Sequence, residues 1–160
     1  MRLLLVCVGR SKAGPERDLA ARYIERAATA GRAIGFTGIE LRETAESRAA
    51  RPDDRKRDEA KSIRGLLPPG FAVIALDETG RQMTSRGFAA ELGRARDAAV
   101  TGTAFVIGGA DGLEPAFLAS VSLTLGFGTM TWPHQLARIM AAEQIYRAMT
   151  ILSGHPYHRD

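Results

Sequence analysis

A single α/β domain built on a parallel sheet is the fold this sequence predicts, and three observations carry that prediction. Short apolar or β-branched runs alternate strictly with longer amphipathic stretches, strand then helix, five times along the chain. No internal repeat, low-complexity tract or linker divides the 160 residues, a length that suits one domain spanning 1–160. The 45% hydrophobic and 25% charged content is that of a globular chain with a proper core.

Each element follows from its residues. Leu3 to Val8 is a run apolar at every position, as expected of a strand buried on both faces, and Gly9 ends it. Pro15 to Ala30 carries Leu19, Tyr23 and Ala27 along one helical stripe, and Phe36 to Leu41 follows as a second strand. The polar segment Arg42 to Arg57 is expected to be a mobile loop. A charged surface helix covers Asp53 to Leu67, entered through Pro52 with acids in its first turn and stopped by Pro68-Pro69.

Phe71 to Leu76 is the clearest central strand. Thr84 to Ala98 follows as a helix with Phe88, Leu92 and Ala95 inward, then a fourth strand from Thr103 to Ile107. A short helix from about Glu114 and a fifth strand near Val121 to Leu125 lead to a long helix from Pro133 to Leu152. That last helix is apolar nearly all round, with only Arg138, Glu143 and Arg147 charged in its body, so both of its sides should be covered. Glu143 and Arg147 are spaced for an intrahelical pair. Arg138 has no acid three or four residues away, which makes it a candidate for function.

Charge is spread unevenly. Residues 1–70 hold fifteen Lys and Arg against ten Asp and Glu, whereas residues 71–160 hold seven against eight. A basic first half beside a neutral second half fits a polyanion-facing surface next to a pocket-forming region, or else Arg-rich helices that are merely solvated. The lone Cys7 cannot form an internal disulfide and sits in an apolar run, as a small hydrophobe would in a reducing compartment. The apolar stretch at Met1 to Gly9 is too short for a signal peptide, and no run approaches the ~20 residues of a membrane span. A cytoplasmic protein is expected.

Two glycine-bearing loops each leave a strand and enter a helix. Gly108-Gly109-Ala110-Asp111-Gly112 permits close backbone approach to a ligand, or is a plain tight turn. Gly126 to Pro133 does the same after the fifth strand, and that edge of an open α/β sheet is where ligands bind. His134, His155 and His158, the only Trp and two of three tyrosines crowd into residues 132–158. After Gly154 the tail presents His155, Tyr157, His158 and Arg159 beside Pro156, with no evident structural duty. Zinc-ligand spacing, a G-x-S-x-G elbow, a Walker A loop, a Cys/His nucleophile pair and paired carboxylates are all missing from the sequence, so no metal is expected.

The stretches FVIGGADGL (105–113), MTWPHQLARIMAAEQIYRA (130–148) and HPYHR (155–159), with the IALDETG turn at 74–80, resemble the ribosomal RNA large-subunit methyltransferase H family of the SPOUT superfamily. The resemblance implies a deep trefoil knot near the C-terminus, a homodimer, and S-adenosylmethionine as methyl donor. It implies N3 of a pseudouridine in large-subunit rRNA as acceptor, presented by the assembled ribosome. A knotted methyltransferase acting on tRNA and a non-catalytic ribosome-binding dimer are the alternatives. By position in the matching motifs, the cofactor would lie against Leu76, Gly108, Phe127, Gly128, Thr129, Met130, Thr131 and Trp132. Tyr157, His158, Arg159 and Arg138 would serve the chemistry, with His134 and His155 behind them.

Overall fold

The computed structural model describes residues 1–159; Asp160, the last residue of the expected domain, lies outside the described residues. Five strands form one parallel sheet: β1 (Arg2–Val8), β2 (Gly38–Thr44), β3 (Phe71–Gln82), β4 (Gly102–Ile107) and β5 (Leu123–Gly126). Their spatial order is β2-β1-β4-β3-β5, with every pairing parallel. The two strands at its centre, β1 and β4, are buried almost throughout, as their unbroken apolar runs require.

Five helices cover the two faces. Helices α1 (Pro15–Arg32), α3 (Ser85–Asp97) and α5 (His134–Ser153) share a core with Leu3, Leu5, Cys7, Phe105 and Ile107. Helices α2 (Pro52–Leu66) and α4 (Pro115–Leu118) cover Leu4, Val6, Val8, Ala104 and Val106 on the other face. The crossovers through α1 and α3 step one way along the sheet and those through α2 and α4 step the other way. Direction and face reverse together, as a constant crossover hand demands. The connection leaving β4 therefore departs to the face opposite those leaving its neighbours β1 and β3, and a crevice opens at the end of β4.

Three boundaries differ from expectation for physical reasons. Strand β2 starts two residues later than the aromatic at Phe36 suggested, because Phe36 is a buried plug under the α1–β2 turn. The supposed mobile segment 42–57 is mostly regular. Strand β2 runs on to Thr44 and α2 begins at Pro52, leaving only 45–51 between them. Strand β3 continues six residues past Leu76, through a polar sequence that reads as a turn. Its register on β5 jumps between Leu76 and Arg81, so Asp77–Gly80 bulges outward and the chain returns to pair with Leu125 and Gly126. Gly80 is required at that point, since a Cβ there would sit 2.4 Å from the Leu125 carbonyl carbon.

Helix α5 is buried along Arg138, Ala141, Ala142, Ile145, Ala148 and Met149, where it packs on α1, α3 and the sheet. Its remaining apolar surface is only half covered within one chain, with Leu136 exposed. Gly154 ends the helix in the left-handed conformation. Cys7 is fully buried and burial pushes its thiol up to about 12, partly opposed by Arg138, so it behaves as an inert hydrophobe.

Candidate cofactor site at the strand ends

The loops after β3, β4 and β5 converge on a cavity of about 830 Å³. Leu76, Gly108, Phe127, Gly128, Met130, Thr131 and Trp132 all line it, joined by His134 and Ala137 of α5. Of the residues expected to hold a cofactor, Thr129 alone is not among the lining. The walls are backbone and apolar surface at the base, from Ile107, Gly108, Gly109, Leu125 and Gly128. At the rim Thr131 donates to Glu78 Oε2 at 3.0 Å, tying the loop after β5 to the bulge in β3.

The β4 loop is braced from behind. Arg55 of α2 grips Asp111 with Nε and Nη2 at 2.6 and 3.0 Å, and its Nη1 donates to the carbonyls of Ala49 and Ala50, each at 3.1 Å. The Arg55 fork holds the Asp111 carboxyl below its ordinary range. Beneath Gly109 lies Glu59, only 5% exposed, with Oε1 accepting from the Ser47 amide at 3.0 Å and Oε2 buried without a partner. A Cβ on Gly109 would meet Glu59 Oε2 at 2.9 Å, so loop and carboxyl are in direct contact. Burial, reinforced by Asp111 and Glu46, pushes the Glu59 carboxyl above its usual value. Gly108 is equally confined: a Cβ there would lie 2.9 Å from the Gly112 carbonyl carbon.

Sequence reasoning missed Arg55, Lys56, Glu59, Asp77 and Glu78. The acids of the IALDETG turn were visible as a motif but not as the wall of a site. The contribution of α2 carried no local signal, since Arg55 and Asp111 are 56 residues apart.

A second cavity of about 520 Å³ lies behind the first, sharing Leu76, Leu125, Phe127 and Gly128 with it. Its walls come from Leu19 and Tyr23 of α1, Phe88 of α3, and Ile139, Met140, Glu143 and Gln144 of α5.

Arg138 is 3% exposed and points away from solvent beneath the β1 loop. Its missing acidic partner comes from a distant strand: Nη1 meets Glu43 Oε1 of β2 at 2.5 Å and also bonds Ser11 Oγ, while Nη2 donates to the Gly9 carbonyl at 2.8 Å. Burial pushes the Glu43 carboxyl up, but donation from Ser11 and Arg138 outweighs it and leaves the group below its usual range. Within one chain, Arg138 therefore locks α5 to the ends of β1 and β2.

The tail docks on its own α5. Tyr157 donates to Glu143 Oε1 at 3.1 Å, and its ring lies 4.6 Å from that of Tyr146 and under the Arg147 guanidinium at 5.0 Å. Arg147 bonds Glu143 as the four-residue spacing predicted and also contacts His158 Nδ1 at 3.3 Å. His155 Nδ1 accepts from the Tyr157 amide at 3.1 Å, forming a turn, and Arg159 is exposed. Burial, then the contacts with Tyr23 and Glu143, raise the Tyr157 hydroxyl above its ordinary value, so it is held as a neutral donor. The tail thus has a packing role that its sequence did not announce. No residue of 155–159 lines the loop cavity. From Ala137, on the cavity wall, to Glu143 is about 9 Å along the helix.

The chain is 62% identical over 159 residues to the ribosomal RNA large subunit methyltransferase H of Beijerinckia indica, covering 99% of each chain. It is 59% identical to the protein of that name from Methylocella silvestris, covering 100% of both. A probable methyltransferase from Bordetella pertussis Tohama I has the same fold, with a TM-score of 0.52 at 17% identity over 92% of this chain and 95% of that one. The family described as Predicted SPOUT methyltransferase matches residues 1–158. On the family match and the full-length identities together, this chain belongs to the SPOUT methyltransferases.

Proposed function

We propose that this protein methylates large-subunit ribosomal RNA at N3 of a pseudouridine, using S-adenosylmethionine, as a homodimer acting on the assembled ribosome. The observation that carries the proposal is the convergence of the β3, β4 and β5 loops on one cavity. The chain it belongs to is 62% identical, end to end, to a relative named for that RNA.

The cavity suits the cofactor. Its volume falls in the ~300–1,000 Å³ range of small-ligand sites. Apolar side chains and glycine backbone offer a bed for an adenine ring and ribose. Asp77 and Glu78 on the wall complement a ligand carrying a sulfonium and an ammonium group. Bound there, S-adenosylmethionine would supply an activated methyl group. The protein's part is to hold the accepting nitrogen in line with it, and such positioning contributes roughly 7–11 kcal/mol. It must also take up an imide proton from the base and stabilise the charge left on the ring. His158, Tyr157 and Arg159 are assigned those roles, with His134 at the cavity wall behind them.

In one chain the tail and the loop cavity are apart, which favours a composite site in which each tail serves the partner subunit. The half-covered side of α5 and the apolar cavity beside it supply a surface for such a dimer, commonly on the order of 2,000 Å² or more when obligate. The backbone of Asp77–Gly80, closed tightly over the end of β5, supports a deep trefoil knot at the same place.

Deleting Tyr157 to Asp160 tests the composite site. Cofactor affinity is expected to stay at the parental level and methyl transfer to ribosomes to fall by at least about 100-fold, as for loss of acid–base groups. Removing the Tyr157 contacts is expected to lower Tm by a few degrees. Parental transfer rates, or a monomer mass by light scattering at micromolar concentration, contradict the composite site.

A further inference from the structure

Five cations of the basic first seventy residues are placed by the fold on one edge of the sheet, beside the cofactor cavity. Strand ends are level there: Val8 pairs with Thr44, Cys7 with Ile107, and Leu76 with Ile107. The loops after β2, β1, β4 and β3 consequently leave the sheet side by side. With strands about 4.8 Å apart, β1 and β2 end roughly 5 and 10 Å from the strand that carries Gly108. The β1 loop brings Arg10 and Lys12, the β2 loop brings Arg48 and Arg51, and the first turns of α2 bring Lys56, which lines the cavity.

Two arginines fix these loops without themselves being available. Arg138 holds the β1 loop through Gly9 and Ser11, and Arg55 holds the β2 loop through Ala49 and Ala50. Both are consumed by carboxylates, Glu43 and Asp111. By contrast Arg10, Lys12, Arg48 and Arg51 are exposed, and among the described residues none of them, nor Lys56, is in an ion pair. Glu46, Asp53 and Asp58 are the exposed acids of these loops and of the start of α2 outside any ion pair, Asp58 accepting from Ser47, whereas Asp54 is taken by Arg57. Cations outnumber free acids, and they stand on backbone that is tethered rather than loose.

We propose that this edge, from Arg10, Lys12, Arg48 and Arg51 to Lys56 at the cavity wall, receives the phosphate backbone of the RNA flanking the target nucleotide. The assignment rests on the RNA-methyltransferase reading above. It adds where the RNA lies: across the β1 and β2 loops, with the target nucleotide entering the cavity past Lys56. Phosphate contacts of this kind position a substrate without reading its sequence, and they make affinity depend steeply on salt.

The test compares two charge-matched pairs in the full-length protein. Arg48→Ala/Arg51→Ala removes two charges from the proposed edge. Arg26→Ala/Arg32→Ala removes two exposed charges without an ion pair from the C-terminal half of α1, at the opposite end of the strands from that edge. Binding to isolated large ribosomal subunits is measured from 50 to 300 mM salt, and cofactor affinity by calorimetry. For the first pair the slope of log affinity against log salt is expected to shrink by about 1.4–1.8, with kcat/KM for methyl transfer down about tenfold and cofactor Kd unchanged. The second pair is expected to keep the parental slope. A parental slope in the first pair, or an equal drop in the second, overturns the proposal even if rRNA is still methylated. If the first pair alone loses slope but the protein methylates only tRNA, the docking edge stands and the rRNA reading fails.

Discussion

The two glycine loops that flank the cavity are alike in sequence and opposite in structure. The β4 loop, Gly108 to Gly112, is braced: Arg55 clamps its aspartate, Glu59 supports Gly109, and Gly112 donates back to Gly109 at 3.0 Å. The β5 loop, Phe127 to Pro133, is tied across by Thr131 to Glu78 and otherwise stands open, with Met130 71% and Trp132 42% exposed. Rigid elements position a ligand and mobile ones admit it. On the proposed function, the contrast would assign the β4 loop to preorganising the cofactor bed and the β5 loop to closing over it. The exposed apolar side chains of the β5 loop would then be the surface that the proposed ligand, RNA or partner subunit covers.

The largest effect is expected from breaking the braced loop at its tightest point. Gly108→Val places a branched side chain against Gly112 and Leu113, an overpacking that costs about 1–3 kcal/mol. S-adenosylmethionine affinity measured by titration calorimetry should fall about 10- to 100-fold or more, with a native circular dichroism spectrum. Unchanged affinity would place the cofactor elsewhere.

Removing the brace while leaving the loop sequence intact is a gentler version of the same experiment. Arg55→Ala frees Asp111 together with the Ala49 and Ala50 carbonyls. Cofactor Kd should rise several-fold, and amide hydrogen exchange at 108–112 should quicken while that of the β5 loop does not change. Arg55→Lys should not restore the parental values, because a point charge cannot replace a guanidinium fork. Equal acceleration in both loops would erase the distinction between them.

The smallest effect is a pH dependence in the brace. Burial raises the Glu59 carboxyl in the folded protein above its unfolded value. The associated stability is complete below the ordinary glutamate value and is lost as pH rises through the higher folded value. Relative to Glu59→Gln, the parental protein should therefore lose on the order of 1 kcal/mol over that interval, comparable to one unsatisfied buried acceptor. Parallel stability curves for the two proteins between pH 4 and 8 would show that the carboxyl is not stressed.

How much of this was legible in the sequence divides along the same lines. The strands β1, β3 and β4 declared themselves because strands buried on both faces must be apolar throughout. The edge strand β2 was legible as a strand but not in its limits, because Glu40 and Arg42 are part-exposed and paired with each other and the aromatic that marked its start, Phe36, belongs to the turn before. The glycine loops were visible as loops, and their convergence followed from the strand alternation. What holds them was not visible. The Arg55–Asp111 clamp and the Arg138–Glu43 pair join residues 56 and 95 apart, and pairings at such distances leave no periodic trace. Arg138 stood out as an arginine without a neighbouring acid. The acid it lacked along the helix is Glu43 on β2, a partner that emerged only from the fold. The tail showed its chemistry but not its contact with Glu143 and Tyr146, which depends on where the Gly154 turn directs the chain.

The central claim is the reaction itself. The purified protein should be incubated with methyl-labelled S-adenosylmethionine and, separately, with assembled ribosomes, free large subunits, naked rRNA and bulk tRNA, and the modified nucleoside mapped by mass spectrometry. The account predicts one methyl group per large-subunit rRNA, on N3 of a pseudouridine, with assembled ribosomes the preferred substrate and tRNA unlabelled. Label in tRNA, on a ring carbon or ribose oxygen, or in no RNA at all despite measured cofactor binding would contradict it.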